Sequence, residues 1–127
     1  NAIDFIQKVT SNDVSSLVDG QVQYSCFPNL DGGIVDDLLV YRFNSQKFML
    51  VVNASNIEKD FSWIKSFNNG SEITDISDQM SLLAIQGPNA IDAIKSLTDV
   101  DLASAIACFI IPLTESPSCD CACSTAA

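Results

Sequence analysis

The fold is decided by residues 31–41, which read DGGIVDDLLVY. Two glycines predict a turn, and the apolar residues that follow have the composition of a β-strand. Asp36 and Asp37 interrupt this strand, and because side chains alternate along a strand they lie on opposite faces. Both faces are otherwise apolar. We therefore expect at least one carboxylate to be partly buried, where it needs hydrogen-bond donors or a raised pKa.

The pair of carboxylates is open to two interpretations. In the structural one, both lie at the entrance of the strand and accept hydrogen bonds from backbone N–H groups around Gly32 and Gly33. This explains one aspartate and leaves the second unexplained. In the functional one, residues that break the local pattern mark a site. The residues alone leave both interpretations open.

The segments around this strand predict an antiparallel meander. Val22, Tyr24 and Cys26 alternate with polar residues, which indicates a half-buried strand before the turn. The apolar runs 34–43 and 47–53 predict two more strands, and the short connections make the three strands antiparallel neighbours. Further strands are predicted at 72–76 and 82–86, and helices at 2–9, after residue 55 and after Gly87-Pro88. The predicted class is α+β, with helices packed on one face of the meander.

The helix after residue 55 has its own start and stop signals. Ser55 and Glu58 fit a capping box, in which Ser55 caps the helix and Glu58 reaches back to the N–H of Ser55. Asn69-Gly70 predicts the end of the helix. Its apolar stripe comprises Ile57, Phe61 and Ile64.

Composition narrows the possible chemistry. The 127 residues, enough for one modest domain, include 16 acids and 6 bases, for a net charge of -10, and Arg42 is the sole arginine. This balance disfavours nucleic acid as a partner, because binding to phosphates needs clustered basic groups. Histidine is absent from the sequence. Acid–base chemistry must therefore come from carboxylates, tyrosines, lysines or cysteines.

The five cysteines are unevenly placed. Residues 1–105 contain only Cys26, which predicts a reducing compartment, the cytosol or an organelle matrix. Cys119, Cys121 and Cys123 alternate near the end, a spacing that is atypical of zinc sites, and we expect no metal there. Residues 106–127 are predicted to be a divergent tail, disordered or outside the domain. No signal peptide is visible, and no apolar run approaches the roughly 20 residues that span a bilayer.

Six short runs carry a family resemblance. They read TSND (10–13), DGQVQY (19–24), GGIVDD (32–37), VVNA (51–54), NIEKD (56–60) and AIQGP (84–88). In order and spacing they resemble the aminomethyltransferase family, the T-proteins of the glycine cleavage system. Each run is weak evidence alone, but together they cover residues 1–105. The resemblance implies that these residues form part of a folate-binding domain of the aminomethyltransferase fold.

The resemblance also implies an activity. Members of the family release ammonia from the aminomethyl group that lipoylated H-protein carries, and transfer the one-carbon unit to tetrahydrofolate. It implies that Asp37 is the catalytic acidic residue beside the folate, and that Tyr24, Tyr41 and Asn53 line the same pocket. Folate and the H-protein are the expected partners, without nucleic acid or membrane. The expected compartment is the bacterial cytoplasm or the mitochondrial matrix.

Three alternatives remain at this point. The chain is similar to related folate-binding modules, such as a domain of a dimethylglycine- or sarcosine-oxidising enzyme, or a folate-binding protein of iron–sulfur assembly. It is also open to interpretation as an inactive truncated product, because family members are longer and supply a further acidic residue and an arginine that are not located here. Without the family, Tyr24 and Tyr41 are ordinary half-buried strand aromatics, and Asn53 is a residue that bonds to a turn.

Overall fold

The computed structural model describes residues 1–85 and 87–99, and the backbone of 109–112. Contacts divide the chain into two compact units, the first ending at Asp75 and the second beginning at Ile76. The first unit contains a helix α1, three strands, and a second helix α2, with two short 3-10 helices between them. Their bounds are α1 Ala2–Val9, a 3-10 helix Val14–Ser16, β1 Val22–Pro28, β2 Ile34–Asn44, β3 Lys47–Val52, a 3-10 helix Ala54–Asn56, and α2 Ile57–Ser66.

The three strands form one antiparallel sheet in the order β1-β2-β3, which confirms the predicted meander. The turn between β1 and β2 is organised by Asn29, whose Oδ1 accepts from the N–H groups of Asp31 at 3.0 Å and Gly33 at 2.6 Å. Gly32 has a φ of +82°, a left-handed conformation that residues with a Cβ rarely adopt. The turn therefore needs the glycine at this position.

The core lies between the sheet and the helical segments of the first unit. Phe5, Ile6 and Val9 of α1 are buried, as the helical periodicity predicts. They belong to a single cluster of buried apolar side chains with residues of β1, β2 and α2. The sheet contributes Phe27, Leu38 and Val40 to this cluster, and α2 contributes Ile64. The prediction that helices pack on one face of the sheet is thus confirmed.

Strand β1 is present, but the face predicted to be buried is wrong. Tyr24 is 63% exposed and Val22 is 47% exposed, whereas Ser25 is 4% exposed and Phe27 is fully buried. Phe27, whose apolar side chain is larger than that of Val22, occupies the core position instead. Ser25 is tolerated there because its hydroxyl accepts a hydrogen bond from the N–H of Asn12 at 3.2 Å.

Three predictions about α2 and the segment after it are also wrong. The helix begins at Ile57 with Asn56 as its N-cap residue, and no side chain caps it, so Ser55 and Glu58 do not form a capping box. It ends at Ser66, three residues before the predicted stop. Residues 72–76 are irregular rather than a strand. Ile73 still packs against the core cluster, which explains its apolar character without strand pairing.

The second unit contains shorter elements. A 3-10 helix at Ser77–Gln79 precedes β4 (Met80–Leu83), and β4 pairs antiparallel with β5 (Phe109–Pro112). The strand predicted at 82–86 is therefore present only in part, because β4 begins two residues earlier and ends at Leu83. The helix predicted after Gly87-Pro88 is α3, Ala90–Ile94. Apart from the backbone of β5, residues 106–127, including the three alternating cysteines, lie outside the described residues. Across the described part of the chain, no helix has the length and apolar character to cross a membrane.

Candidate functional site

The adjacent carboxylates of β2 lie on opposite faces of the sheet, as alternation predicts. Asp36 is opposite Phe27 in the register and shares the face that packs against the helices. Asp37 is opposite Cys26 and lies on the other face. Both aspartates are half-buried. Each carboxylate therefore needs its own set of donors.

The Asp37 carboxylate is held from two strands. The Tyr24 hydroxyl on β1 donates to Oδ2, and the Asn53 side-chain amide at the end of β3 donates to Oδ1 at 2.9 Å. Tyr24 is diagonal to Asp37 across the β1–β2 pair, a separation that a long aromatic side chain can span. The hydrogen bond from Tyr24, followed by that from Asn53, lowers the pKa of Asp37. Asp37 is thus an oriented, ionised carboxylate at neutral pH.

The Asp36 carboxylate accepts from three donors near the β3–α2 connection. Oδ1 accepts from the backbone N–H of Asp37 at 3.0 Å and from the Asn53 amide at 2.9 Å. Oδ2 accepts from the Asn56 amide at 2.7 Å. These bonds, led by that from Asn56, lower the pKa of Asp36 to about 2. Asp36 therefore ties β2 to the start of α2.

These contacts correct the structural interpretation of the pair. That interpretation placed the donors in the loop around Gly32 and Gly33, where the amide oxygen of Asn29 instead accepts from backbone N–H groups. Apart from the N–H of Asp37, the donors to the aspartates are tyrosine and asparagine side chains that are distant in sequence. Hydrogen bonds over such sequence separations depend on the tertiary fold, so the local pattern does not reveal them.

Asn53 links the two aspartates. Its amide nitrogen lies 2.9 Å from Oδ1 of Asp36 and 2.9 Å from Oδ1 of Asp37, so one NH₂ group donates to both. The residue precedes the 3-10 helix at Ala54–Asn56, but its side chain makes no capping hydrogen bond. The interpretation of Asn53 as a residue that bonds to a turn is therefore wrong.

Tyr41 lies on the same face of β2 as Asp37 but further along the strand. It is opposite Val22 on β1 and Met49 on β3, and it is 9% exposed. Four residues of strand place it about 13 Å from Asp37. The hydrogen-bonded cluster thus brings together three of the four predicted site residues, Tyr24, Asp37 and Asn53, and leaves Tyr41 at a distance.

Sequence reasoning missed two residues that border the cluster. Asn56 was assigned no role beyond the family resemblance, yet its amide is the closest donor to Asp36. Asp60 on α2 is fully buried and lies against Asp36. A signal was available for Asp60, because helical spacing puts it on the apolar stripe of Ile57 and Ile64. A charged residue on that stripe breaks the amphipathic pattern.

Removing the Tyr24 hydroxyl tests the donor set of Asp37. In Tyr24→Phe we expect the pKa of Asp37 to rise toward its ordinary value, because the hydrogen bond that lowers it most is lost. The stability that this lowered pKa provides at neutral pH, lost as the solution is acidified, should also decrease. Carbon-13 NMR titration of the Asp37 carboxyl measures the change. An unaltered pKa would show that the tyrosine does not bind the carboxylate.

The chemistry available here is that of a fixed anion beside an aromatic ring. An ionised carboxylate can accept paired N–H groups from a heterocycle or stabilise a developing positive charge. Tyr24 adds an exposed ring surface next to it. Among residues 1–85, 87–99 and 109–112, no group of three or more metal-ligating side chains is placed to hold a metal ion.

Comparison with known proteins connects this geometry to a family. The model of a family described as the GCVT N-terminal domain matches residues 1–117. The aminomethyltransferase of Bacteroides fragilis is 61% identical over 104 residues, which are 81% of this chain and 29% of that protein. The aminomethyltransferase of Flavobacterium psychrophilum is 61% identical over 103 residues, which are 80% of this chain and 29% of that protein.

A solved structure shares the fold. The glycine cleavage system aminomethyltransferase T from Bartonella henselae matches with a TM-score of 0.67 and 36% identity, over 75% of this chain and 26% of that chain. The predicted α+β fold is thus confirmed at the level of a known structure. This chain spans 29% of the length of the two bacterial relatives.

Proposed function

Because this chain belongs to the GCVT N-terminal domain family, we propose that it forms the folate-facing part of an aminomethyltransferase of the glycine cleavage system. The proposed enzyme takes the aminomethyl group from lipoylated H-protein, releases ammonia, and gives the one-carbon unit to tetrahydrofolate. The names of the relatives support the transfer of an aminomethyl group. Since the chain covers less than a third of those proteins, the remaining pocket residues are expected outside it.

The observation that carries the proposal is the way Asp37 is presented. Its carboxylate is ionised, held by Tyr24 and Asn53, and lies on the sheet face opposite the helices. A pterin edge offers a ring N–H and an exocyclic amine, and a fixed carboxylate can accept both as charge-assisted hydrogen bonds. The fixed Asp37 acceptor therefore fits the N–H donors of tetrahydrofolate.

Asp37 is the proposed catalytic residue. Positive charge develops on the folate nitrogen that bonds to the one-carbon unit as ammonia leaves, and a nearby carboxylate stabilises such charge. An aspartate at this position is also able to relay a proton between the reacting nitrogens. The low pKa of Asp37 suits the first role in particular, because the carboxylate remains charged at neutral pH.

The other three proposed folate-binding residues have different parts. Tyr24 offers an exposed ring for contact with the pterin, while its hydroxyl orients Asp37. Asn53 fixes the second oxygen of Asp37. Tyr41, about 13 Å along the strand, is placed to contact a more distant part of an extended folate on the same face.

The partners and compartment follow from the same proposal. Lipoylated H-protein and tetrahydrofolate are the proposed partners, and no metal is required for this chemistry. Bacterial relatives favour the cytoplasm, and a eukaryotic source would favour the mitochondrial matrix. The division into a folate-binding part at residues 1–105 and a divergent tail at 106–127 remains a prediction, while the family match extends to residue 117.

Two measurements on the full-length protein test the proposed function. Isothermal titration should show that the protein binds tetrahydrofolate. Aminomethylated H-protein should release ammonia when the protein and tetrahydrofolate are both present. Binding without ammonia release would favour a related folate module, such as a domain of a dimethylglycine-oxidising enzyme or a folate-binding protein of iron–sulfur assembly. If neither folate binding nor ammonia release is observed, the protein is better described as an inactive product and the proposal is contradicted.

A further inference from the structure

Asp60 is a buried acid without an ordinary partner. Its side chain, on the first turn of α2, is fully inaccessible to solvent. Neither carboxyl oxygen accepts a hydrogen bond from an amide, amine or hydroxyl donor in the described part of the chain. The nearest cation, the Lys59 ammonium, is 3.7 Å from Oδ1 and donates instead to the carbonyl of Val35 at 2.8 Å. A buried carboxylate in this position would be strongly destabilised.

A proton on Asp60 removes this difficulty. Asp60 follows Asn56 by one helical turn, and the Asn56 amide binds the Asp36 carboxylate at 2.7 Å, so the buried Asp60 carboxyl is on the side of α2 that faces Asp36. Two carboxylates cannot donate to each other, but a neutral acid can donate its O–H to an ionised neighbour. Asp36 is suited to be the acceptor, because Asn53, Asn56 and the N–H of Asp37 already stabilise its negative charge.

We propose that in mildly acidic solution Asp60 is a neutral acid that donates a hydrogen bond to Asp36 and thereby positions Asp37 through Asn53. The chain of contacts runs from α2 to the opposite face of the sheet. Asp60 fixes the Asp36 carboxylate, Asp36 holds the Asn53 amide, and the same amide holds Asp37. Asp60 is buried on the helix side of the sheet, away from the face where a ligand is expected, so it is a positioning residue.

The electrostatics of the pair agree with this assignment. Burial, followed by the neighbouring Asp36, raises the pKa of Asp60 to about 6, whereas the pKa of Asp36 falls to about 2. The charged groups that act on Asp60 are Asp36 from β2 and Lys59 from α2 itself, and Lys59 opposes the rise. Between these two pKa values the pair holds a single proton.

The shared proton makes stability depend on pH with a definite sign. The pKa of Asp60 is higher in the folded state than its ordinary value of 3.8. Its stabilising contribution is therefore complete below pH 3.8 and is lost as the pH rises through about 6. The lowered pKa of Asp36 contributes stability with the opposite pH dependence, which is lost as the pH falls below 3.8. Measurements between pH 4 and 7 therefore isolate Asp60.

The test compares Asp60→Asn with the unsubstituted full-length protein by urea unfolding across this range. Asparagine keeps the shape and donates an N–H to Asp36 at every pH. Relative to Asp60→Asn, the unfolding equilibrium constant of the unsubstituted protein should rise about a hundredfold from pH 4 to pH 7. Parallel pH profiles would overturn the proposal. Glu58→Gln removes an exposed acid on the same helix; it is the matched control and should leave the profile unchanged.

Two further variants identify the partner and the effect on Asp37. Burial raises the pKa of Asp60 most and would remain in Asp36→Asn, but the contribution of the Asp36 charge would be lost, so the pH dependence should be reduced. An undiminished dependence would exclude Asp36 as the partner. Asp60→Leu removes the donor and should raise the pKa of Asp37, which carbon-13 NMR titration measures. Asp60→Asn keeps a donor and should leave the pKa of Asp37 unchanged. An unchanged pKa in a folded Asp60→Leu protein would refute positioning. If Asp60→Leu does not fold, the pH profile of unfolding of Asp60→Asn decides whether Asp60 is protonated. None of these readouts requires folate, so they stand or fall separately from the proposed function.

Discussion

Asp37→Asn in the full-length protein is expected to lower turnover by roughly a hundredfold to ten-thousandfold, the range for removal of a residue that acts on charge or protons in the transition state. The substitution keeps the size of the side chain and its ability to accept a bond at one oxygen. It removes the negative charge that Tyr24 and Asn53 hold in place. We expect a modest loss of tetrahydrofolate affinity, because a neutral amide still offers one acceptor to the pterin.

Asp36→Asn is the matched control for this prediction, since it makes the same chemical change at the adjacent residue. The Asp36 carboxylate is occupied by Asn53, Asn56 and the N–H of Asp37, on the face toward the helices. Its loss should reduce stability and affect turnover less than Asp37→Asn does. Steady-state ammonia release and titration with tetrahydrofolate separate the two effects. Equal losses of turnover would show that Asp37 has been wrongly distinguished from its neighbour.

Phe27→Ala is expected to lower the free energy of unfolding by about 3–5 kcal/mol, the usual cost of truncating a buried aromatic side chain. Phe27 is fully buried and packs in the cluster that joins the sheet to α1 and α2. The substitution leaves a cavity in the middle of that cluster. Urea unfolding followed by circular dichroism measures the loss.

Val22→Ala supplies the comparison within the same strand. Val22 lies on the opposite face of β1 and is 47% exposed, so its truncation should change the free energy of unfolding by less than about 1 kcal/mol. The two substitutions together test which face of β1 is buried. A larger loss at Val22 than at Phe27 would reverse the assignment of the faces.

The meander could be predicted from sequence because its signals are local. The apolar run of β2, the Asn29 to Gly33 turn and the short β2–β3 connection each lie within a few residues. Such patterns fix where strands begin and end. They indicated the wrong buried face of β1, because Val22, Tyr24 and Cys26 outnumber Phe27, the one apolar side chain of the other alternating set that is buried. The register with β2 places Phe27 opposite Asp36 on the core side, and that pairing joins distant segments.

The candidate site was predictable only in part. The unusual pair in β2 marked the position, and the family resemblance pointed to Asp37, Tyr24 and Asn53. The partners of Asp36 were not predictable, because Asn56 and Asp60 meet it only when α2 packs on the sheet. The apparent capping box was misleading for the same reason. The Asn56 amide is directed to a carboxylate on β2, and no side chain caps the helix.

The two aspartates have different roles because they lie on opposite faces of one strand. Asp36 lies on the side of the core and holds the β3–α2 connection, whereas Asp37 lies on the other side with an exposed tyrosine. The Asn53 amide joins them, so the arrangement of one carboxylate depends on the other. A strand that carries adjacent acids can thus use one for structure and present the other to a ligand.

A crystal structure of the full-length protein with bound tetrahydrofolate tests the different roles of Asp36 and Asp37 most directly. We expect the pterin ring on the sheet face opposite the helices, with its N–H groups within hydrogen-bonding distance of Asp37, and Asp36 still bound to Asn56. A pterin that contacts Asp36, or one that binds away from Asp37, would contradict the assignment of Asp37 as the residue that faces folate.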